Sequence, residues 1–322
     1  MKKLIAMLLL LSLVGSASAL ERADWLSPDQ YYYQQLSAAH KTAWEHDITN
    51  ALNYPNQTQY ATDVRHQALG PMIKADNPRI FWIDWIDSNG LLRFETGNTP
   101  HYKGLTFPQG KTLADYQQLF LQGVDAAVKA IKAKLPKNAD AKAKVKAIYK
   151  WLCDNNTYNN NQTSKFKQNC DPVSFAYLAA HSAYSAIIPG DMFEPVCEGY
   201  ACAFKVLCDE LGVPCVSVSG SVSGASQHMW NHVKLGSTWH LVDVTTGDMY
   251  SMDAFCIMTA RDLSVQPSFS RAISSRRGSG LATPASSEMT MASNRGISGH
   301  FARRLRWMAD TPLDTRATFI FP

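Results

Sequence analysis

Between Cys215 and Thr246 the chain runs through three β-rich segments, CVSVSGSV (215–222), HMWNHVKL (228–235) and HLVDVTT (240–246), separated by short turns containing GASQ and GST. Parallel neighbours need a crossover of about a dozen residues or more, and turns this short leave no room for one. The segments therefore read as an antiparallel meander. Helical patterns precede them, and helices followed by a meander predict an α+β fold rather than a doubly wound parallel sheet. A chain of 322 residues that is 46% hydrophobic and 18% charged has the material for a sizeable core.

The N-terminus bears on compartment. MKK supplies positive charge, Leu4 to Val14 a short apolar run, and Ala17-Ser18-Ala19 a small-residue cleavage site, the pattern of a signal peptide over residues 1–19. The run falls well below the ~20 residues a spanning helix needs, and no Cys follows it to carry a lipid. The expectation is a secreted or periplasmic protein with no stable membrane insertion after cleavage, in surroundings that permit disulfides. A net charge of +4 is too mild to argue for a nucleic-acid partner.

The chain divides, by pattern, into a mostly helical N-terminal region with a β-hairpin (20–137), a core (138–262) and a tail (263–322). Residues 1–260 contain 18 Lys and 4 Arg, whereas residues 261–322 contain 9 Arg and no Lys. The tail is rich in Ser, Ala, Thr and Met and reads as a disordered extension. A gene end that differs from the ancestral one is the other reading, and neither assigns the tail a function.

Local signals fill in the regions. Ser27-Pro28-Asp29 looks like a helix cap opening YYYQQL, and Ser37 a cap for a second helix carrying Trp44, Ile48 and Leu52. Asn89-Gly90 inside IFWIDWIDSNGLLRFE (80–95) predicts a hairpin. Thr112 to Leu135 and Lys142 to Asp154 read as amphipathic helices, and Asp171-Pro172 starts a helix running towards Ile188. Cys153 and Cys170 bracket a polar loop of sixteen residues and are expected to form a disulfide. Such a closure contributes about 3 kcal/mol in the chain-entropy picture. Phe255, Ile257 and Met258 are expected to close the core after the meander.

Four of the seven cysteines, Cys197, Cys202, Cys208 and Cys215, fall within VCEGYACAFKVLCDELGVPC (196–215). Their spacing contains no C-x-x-C knuckle, so no metal is expected, and His228 and His232 on one strand face do not alone make a metal site. On a helix from Cys197 to Leu211, Ala201, Phe204, Cys208 and Leu211 share a face with Cys197, and Cys208 reads as a small buried apolar residue. Cys202 lies off that face, free to reach a partner. Cys197 alone stands at the helix start, where the dipole and free N–H groups stabilise a thiolate and can serve a developing oxyanion. Gly199 costs about 1 kcal/mol relative to Ala inside a helix. It reads either as room for a close approach or as the leniency of a first turn. A thiol nucleophile needs a base and a group to orient that base. His228 and Asp243, on adjacent expected strands, can meet across the ladder.

These stretches, VCEGYACAFKVLCDELGVPCVSVSG and then HMWNHVKLGSTWHLVDVTT, resemble the core of the transglutaminase-like superfamily, enzymes with a papain-like Cys-His-Asp arrangement. The resemblance places the nucleophile, in C-x-G-Y-A, on Cys197. It places the histidine, before x-W-N, on His228 rather than His232, and the aspartate, in V-D-x-T, on Asp243. TYNN around Tyr158, SAYSAI around Tyr184, YYYQQL and ADNPRIFWID also resemble bacterial members. Thr246 departs from the pattern, standing where many bacterial relatives carry an aromatic residue. The resemblance implies acyl transfer at an amide of a protein or peptide, without a cofactor. A thioester on Cys197 would be released by water or by an amine, and nothing in the motif separates the two. The alternative is a catalytically silent secreted binding module of the same fold.

Overall fold

A computed structural model describes residues 24–53, 64–85, 92–94, 111–159, 175–190, 194–222, 226–250 and 253–258. Helix α1 (Tyr31–Gln34) begins without a side-chain cap of its own. Asp76, at the end of α3 (Val64–Asp76), supplies it from a distance, its Oδ2 accepting from Tyr32 N and Tyr33 N at 2.9 Å each. The expected Ser27 cap is therefore corrected: Ser27 N donates to Asn77 Oδ1 at 3.1 Å and its hydroxyl to Asp209 Oδ2 at 2.6 Å. Long-range partners outbid the local motif. Helix α2 (Ala38–Asn53) does start after Ser37, whose carbonyl accepts from Lys41 N at 2.9 Å, and it buries Trp44 and Ile48.

Strands β1 (Ile83–Trp85) and β2 (Leu92–Phe94) pair antiparallel, the expected hairpin; its Asn89-Gly90 turn lies outside the described residues. Helix α4 (Leu113–Lys132) opens on a reciprocal capping box between Thr112 and Asp115. Helix α5 (Ala141–Asn155) is capped by Asp140 and buries Val145, Ile148, Tyr149, Trp151 and Leu152 along one stripe. The helix expected to run to Ile188 is two helices, α6 (Phe175–Ala180) and α7 (Ala183–Ile187), and Asp171-Pro172 lies outside the described residues. Ser182 adopts an extended conformation and caps α7, accepting from Tyr184 N. The break leaves the Ala180 carbonyl open, and Val196 N donates to it at 3.1 Å.

Val196 is the N-cap of α8 (Cys197–Glu210), the central helix. It packs on α4, α5 and α7 and on the sheet, and every residue from Gly199 to Cys208 is buried. Cys202, off the face that Cys197 shares, is buried along with the rest of that stretch. Fully burying side chains such as Phe204 and Leu207 contributes roughly 1.5–3 kcal/mol each. Gly212, at φ +66°, ends the helix by turning the chain so that Val213 N returns to Cys208 O at 2.9 Å.

The meander follows as β3 (Cys215–Val222), β4 (Ser226–Leu235) and β5 (Thr238–Val242), antiparallel in the order β3-β4-β5. HLVDVTT is not all strand: β5 stops at Val242, and α9 (Val244–Tyr250) begins at once. Phe255 and Met258 close the core, Met258 exchanging backbone hydrogen bonds with Leu241 at 2.8 and 3.2 Å. The fold is α+β, helices followed by a three-stranded antiparallel sheet. The tail from residue 263 lies outside the described residues.

Candidate active site

Cys197 is the first residue of α8 and is partly exposed. Bonding within the helix begins with Tyr200 N donating to Val196 O at 3.1 Å, and Val196 offers no side-chain cap. The amides of Cys197, Glu198 and Gly199 therefore have no intrahelical partner, and the positive end of the helix dipole lies at the sulfur. Three contacts fix this helix start. Val196 N is held by Ala180 O, while Asn159 N donates to Pro195 O at 3.1 Å and Asn159 Nδ2 to Glu194 O at 3.2 Å. Gly199 lets the turn sit there, because a Cβ on it would stand 2.5 Å from Ala180 O and 3.1 Å from Ser182 O. The close approach expected of Gly199 is made by the protein's own backbone.

His228 enters from β4 and Asp243 from the residue after β5, their contact being His228 Nε2 to Asp243 Oδ2 at 2.9 Å. They do not face each other across the ladder, since pairing of β4 with β5 ends at Asn231 and Val242. Asp243 instead acts as the cap of α9: Gly247 N donates to its carbonyl at 3.2 Å and Thr246 N to its Oδ1 at 3.0 Å. Thr246 Oγ1 adds a bond of 2.7 Å to Oδ2, so Thr246 helps to orient the aspartate.

Burial opposes a charge on His228, but Asp243, hydrogen-bonded to the ring, and then the neighbouring Cys197 outweigh it and hold the pKa up at about 10. With Nε2 committed to Asp243, Nδ1 is the atom left for Cys197. Burial likewise opposes charge on Asp243, yet His228 and Thr246 hold its carboxyl below the usual range. The structure thus brings Cys197, His228 and Asp243 into one chain of contacts.

His232 behaves differently. It is buried, its Nε2 accepts from Trp230 Nε1 at 3.1 Å, and burial pushes its pKa down to about 4. A histidine lowered from 6.5 takes up its proton later in the folded than in the unfolded chain, so folding stability falls as pH drops from 6.5 towards 4. The full effect is on the order of 3 kcal/mol. His232→Gln is expected to remove that slope from unfolding free energies measured between those pH values. A slope unchanged in the variant would show that other groups cause it.

Neighbouring side chains that spacing did not reveal complete the site. Tyr158 stacks on Tyr200 with centroids 6.5 Å apart, and Asp248 Oδ2 ties the pair by accepting from Tyr158 N at 3.0 Å and Tyr200 OH at 2.6 Å. Burial and then the nearby Cys197 and Asp243 raise the Tyr158 phenol above its ordinary range. Glu198 is gripped by Lys74 Nζ at 2.8 Å and His181 Nδ1 at 3.0 Å. Burial works against its charge, but these two partners hold its carboxyl down at about 2. Nothing local in the sequence pairs Lys74 with Glu198. Cys153 is a free thiol facing Val244 O at 3.8 Å, and Cys170, its expected partner, lies outside the described residues. Among the described residues no group of three or more His, Cys, Asp or Glu could hold a metal, and no helix is long and apolar enough to cross a membrane.

Residues 129–244 match the transglutaminase-like superfamily. A stretch of 118 residues is 31% identical to kyphoscoliosis peptidase of Mus musculus and 30% identical to that of Homo sapiens, covering 32% of this chain. The match takes in 15% of each curated relative's own length. Among solved structures, a TGase crystal structure is 19% identical at a TM-score of 0.34, covering 43% of this chain and 34% of that one. A candidate cysteine protease from Cytophaga hutchinsonii is 18% identical at a TM-score of 0.27, covering 44% and 45%.

Proposed function

We propose that this chain, which carries a transglutaminase-like segment over residues 129–244, is a secreted or periplasmic thiol enzyme that transfers or hydrolyses an acyl group at an amide of a protein or peptide. The observation that carries the reading is His228, bound to Asp243 at 2.9 Å and raised by both Asp243 and Cys197. An imidazole with a pKa of about 10 holds its proton at neutral pH, and a cation beside a helix-start cysteine is the setting in which a thiol acts as a nucleophile. The thiolate adds to the amide carbonyl, and the Cys197 N–H at the helix start donates to the oxygen as it gains charge. His228 then gives its proton to the departing amine, the C–N bond breaks, and a thioester remains. Water or a second amine attacks the thioester while His228 takes up the proton, and Cys197 is released.

Asp243 holds the ring in the useful orientation and favours its charged form. Asp243→Asn is expected to cut kcat/KM by about 10²–10⁴-fold, the range that general acid–base catalysis supplies. In the parent protein activity should also fall as pH rises towards about 10, where His228 loses the proton it must deliver. Both are measured as pH–rate profiles on a panel of amide and peptide substrates. Full activity in Asp243→Asn would overturn the triad. The second reading, a silent binding module, would instead be supported if iodoacetamide labelled Cys197 no faster than a free cysteine.

A further inference from the structure

Two buried side chains near the site take no part in the chemistry described above. Trp230 and His232 follow His228 at alternate positions on β4, and both are almost fully enclosed. The Trp230 indole lies over the His228 imidazole with ring centroids 5.9 Å apart and an interplanar angle of 27°. Its N–H points the other way along the strand, to His232 Nε2 at 3.1 Å. A buried indole N–H without an acceptor is costly, so this bond sets which way the ring lies. An indole N–H can bond to that nitrogen only if the nitrogen carries a lone pair, which requires a neutral His232. The surroundings keep it so: the register partners of His232 are Val216 on β3 and Leu241 on β5, both apolar.

Without the indole, His228 is held only from within its own plane. Asp243 at Nε2 and Cys197 on the far side both act in the plane of the ring, which leaves it free to tilt about the line joining them. The indole packs offset against the ring face and limits that tilt. It also presents the negative face of an aromatic quadrupole to a ring that works as a cation.

We propose that Trp230 is a positioning residue for the His228 imidazole, and that His232 is the fixed acceptor that keeps the indole in place. The proposal rests on the thiol-enzyme reading for its purpose, but its geometry stands without it. It gives His232 a role unlike that of His228 although the two residues share a strand face: one moves protons, the other must stay neutral.

The test is an NMR titration of histidine-labelled protein, with the His228 ring resonance assigned by its disappearance in His228→Asn. In the parent protein that resonance should titrate near 10. His232→Leu removes the acceptor and is expected to lower the value by about one unit, a tenfold loss of proton affinity. Trp230→Phe keeps a ring but loses the N–H, and should shift it in the same direction. His232→Gln restores an acceptor and should leave it near the parent value. Iodoacetamide labelling of Cys197 at neutral pH should stay rapid in the two shifted variants, because a ring that titrates one unit lower still carries its proton there. An unchanged His228 titration in folded His232→Leu or folded Trp230→Phe, with Cys197 still labelling rapidly, overturns the positioning role and leaves the enzyme reading intact. A shifted titration beside an inert Cys197 in the parent supports the positioning and overturns the enzyme reading instead.

Discussion

Cys197→Ser should abolish turnover while the protein keeps its fold. The alcohol that replaces the thiol is a far weaker nucleophile at neutral pH, and His228, already carrying its proton, cannot act as the base that a serine would need. A loss of about 10³-fold or more is expected, since the nucleophile and its partners act as a unit. Stability should change by less than about 1 kcal/mol, the usual effect of a conservative change outside the packed core. Cys197 is partly exposed at the first position of α8, whereas Cys202 and Cys208 on the same helix are buried among apolar side chains. The measurement is turnover of an amide and peptide panel alongside thermal melting. Retained activity in the variant would remove Cys197 from the mechanism.

Gly199→Ala should be strongly destabilising, against the direction that helix propensity gives. Alanine would gain about 1 kcal/mol over glycine inside a helix. The new Cβ, however, would stand 2.5 Å from Ala180 O and 3.0 Å from Pro195 Cβ. The nearest obstacle is backbone, which cannot swing aside, so α8 or the α6–α7 break must shift; overpacking of this kind costs about 1–3 kcal/mol. The same Ala180 carbonyl accepts from Val196 N, so the movement passes directly to Cys197. A misplacement near 1 Å costs about 10²-fold in rate, and kcat/KM should fall accordingly. A melting temperature at or above that of the parent, with full activity, would show that the helix start tolerates the extra atom.

The parts of this site that could be read in advance depended on periodicity and on position within an element. The start of α8 at Cys197 followed from the apolar spacing behind it, and the order of β3, β4 and β5 from turns too short for a crossover. The errors arose where a local motif had a distant competitor. Ser27-Pro28-Asp29 has the form of a cap, but Asn77 and Asp209 take Ser27, and Asp76 does the capping. The helix towards Ile188 breaks at Ser182, a residue that sits in a helix pattern until its side chain caps the next turn. Cys202 lies off the Cys197 face yet is buried, because a helical wheel shows one stripe and nothing in it says that a helix will be enclosed on every side. Asp243 was read as a strand residue, though an aspartate three positions before Thr246 is also a helix-cap pattern.

The sequence by itself determined the elements and their chemistry: a cysteine at a helix start, a histidine on one strand, an aspartate near the next, and connections too short for any sheet but an antiparallel one. Those properties depend on backbone geometry within a few residues, so they are written locally. The tertiary structure decided which groups tune that chemistry. Lys74 meets Glu198, Asn159 pins the chain before Cys197, and Ala180 O anchors Val196 N. It also separated two histidines that share a strand face, pushing His228 up to about 10 and His232 down to about 4. The physical reason is that a charge responds to everything within a few ångströms. What surrounds a buried side chain is set by the packing of segments far apart in the chain, not by its neighbours in sequence.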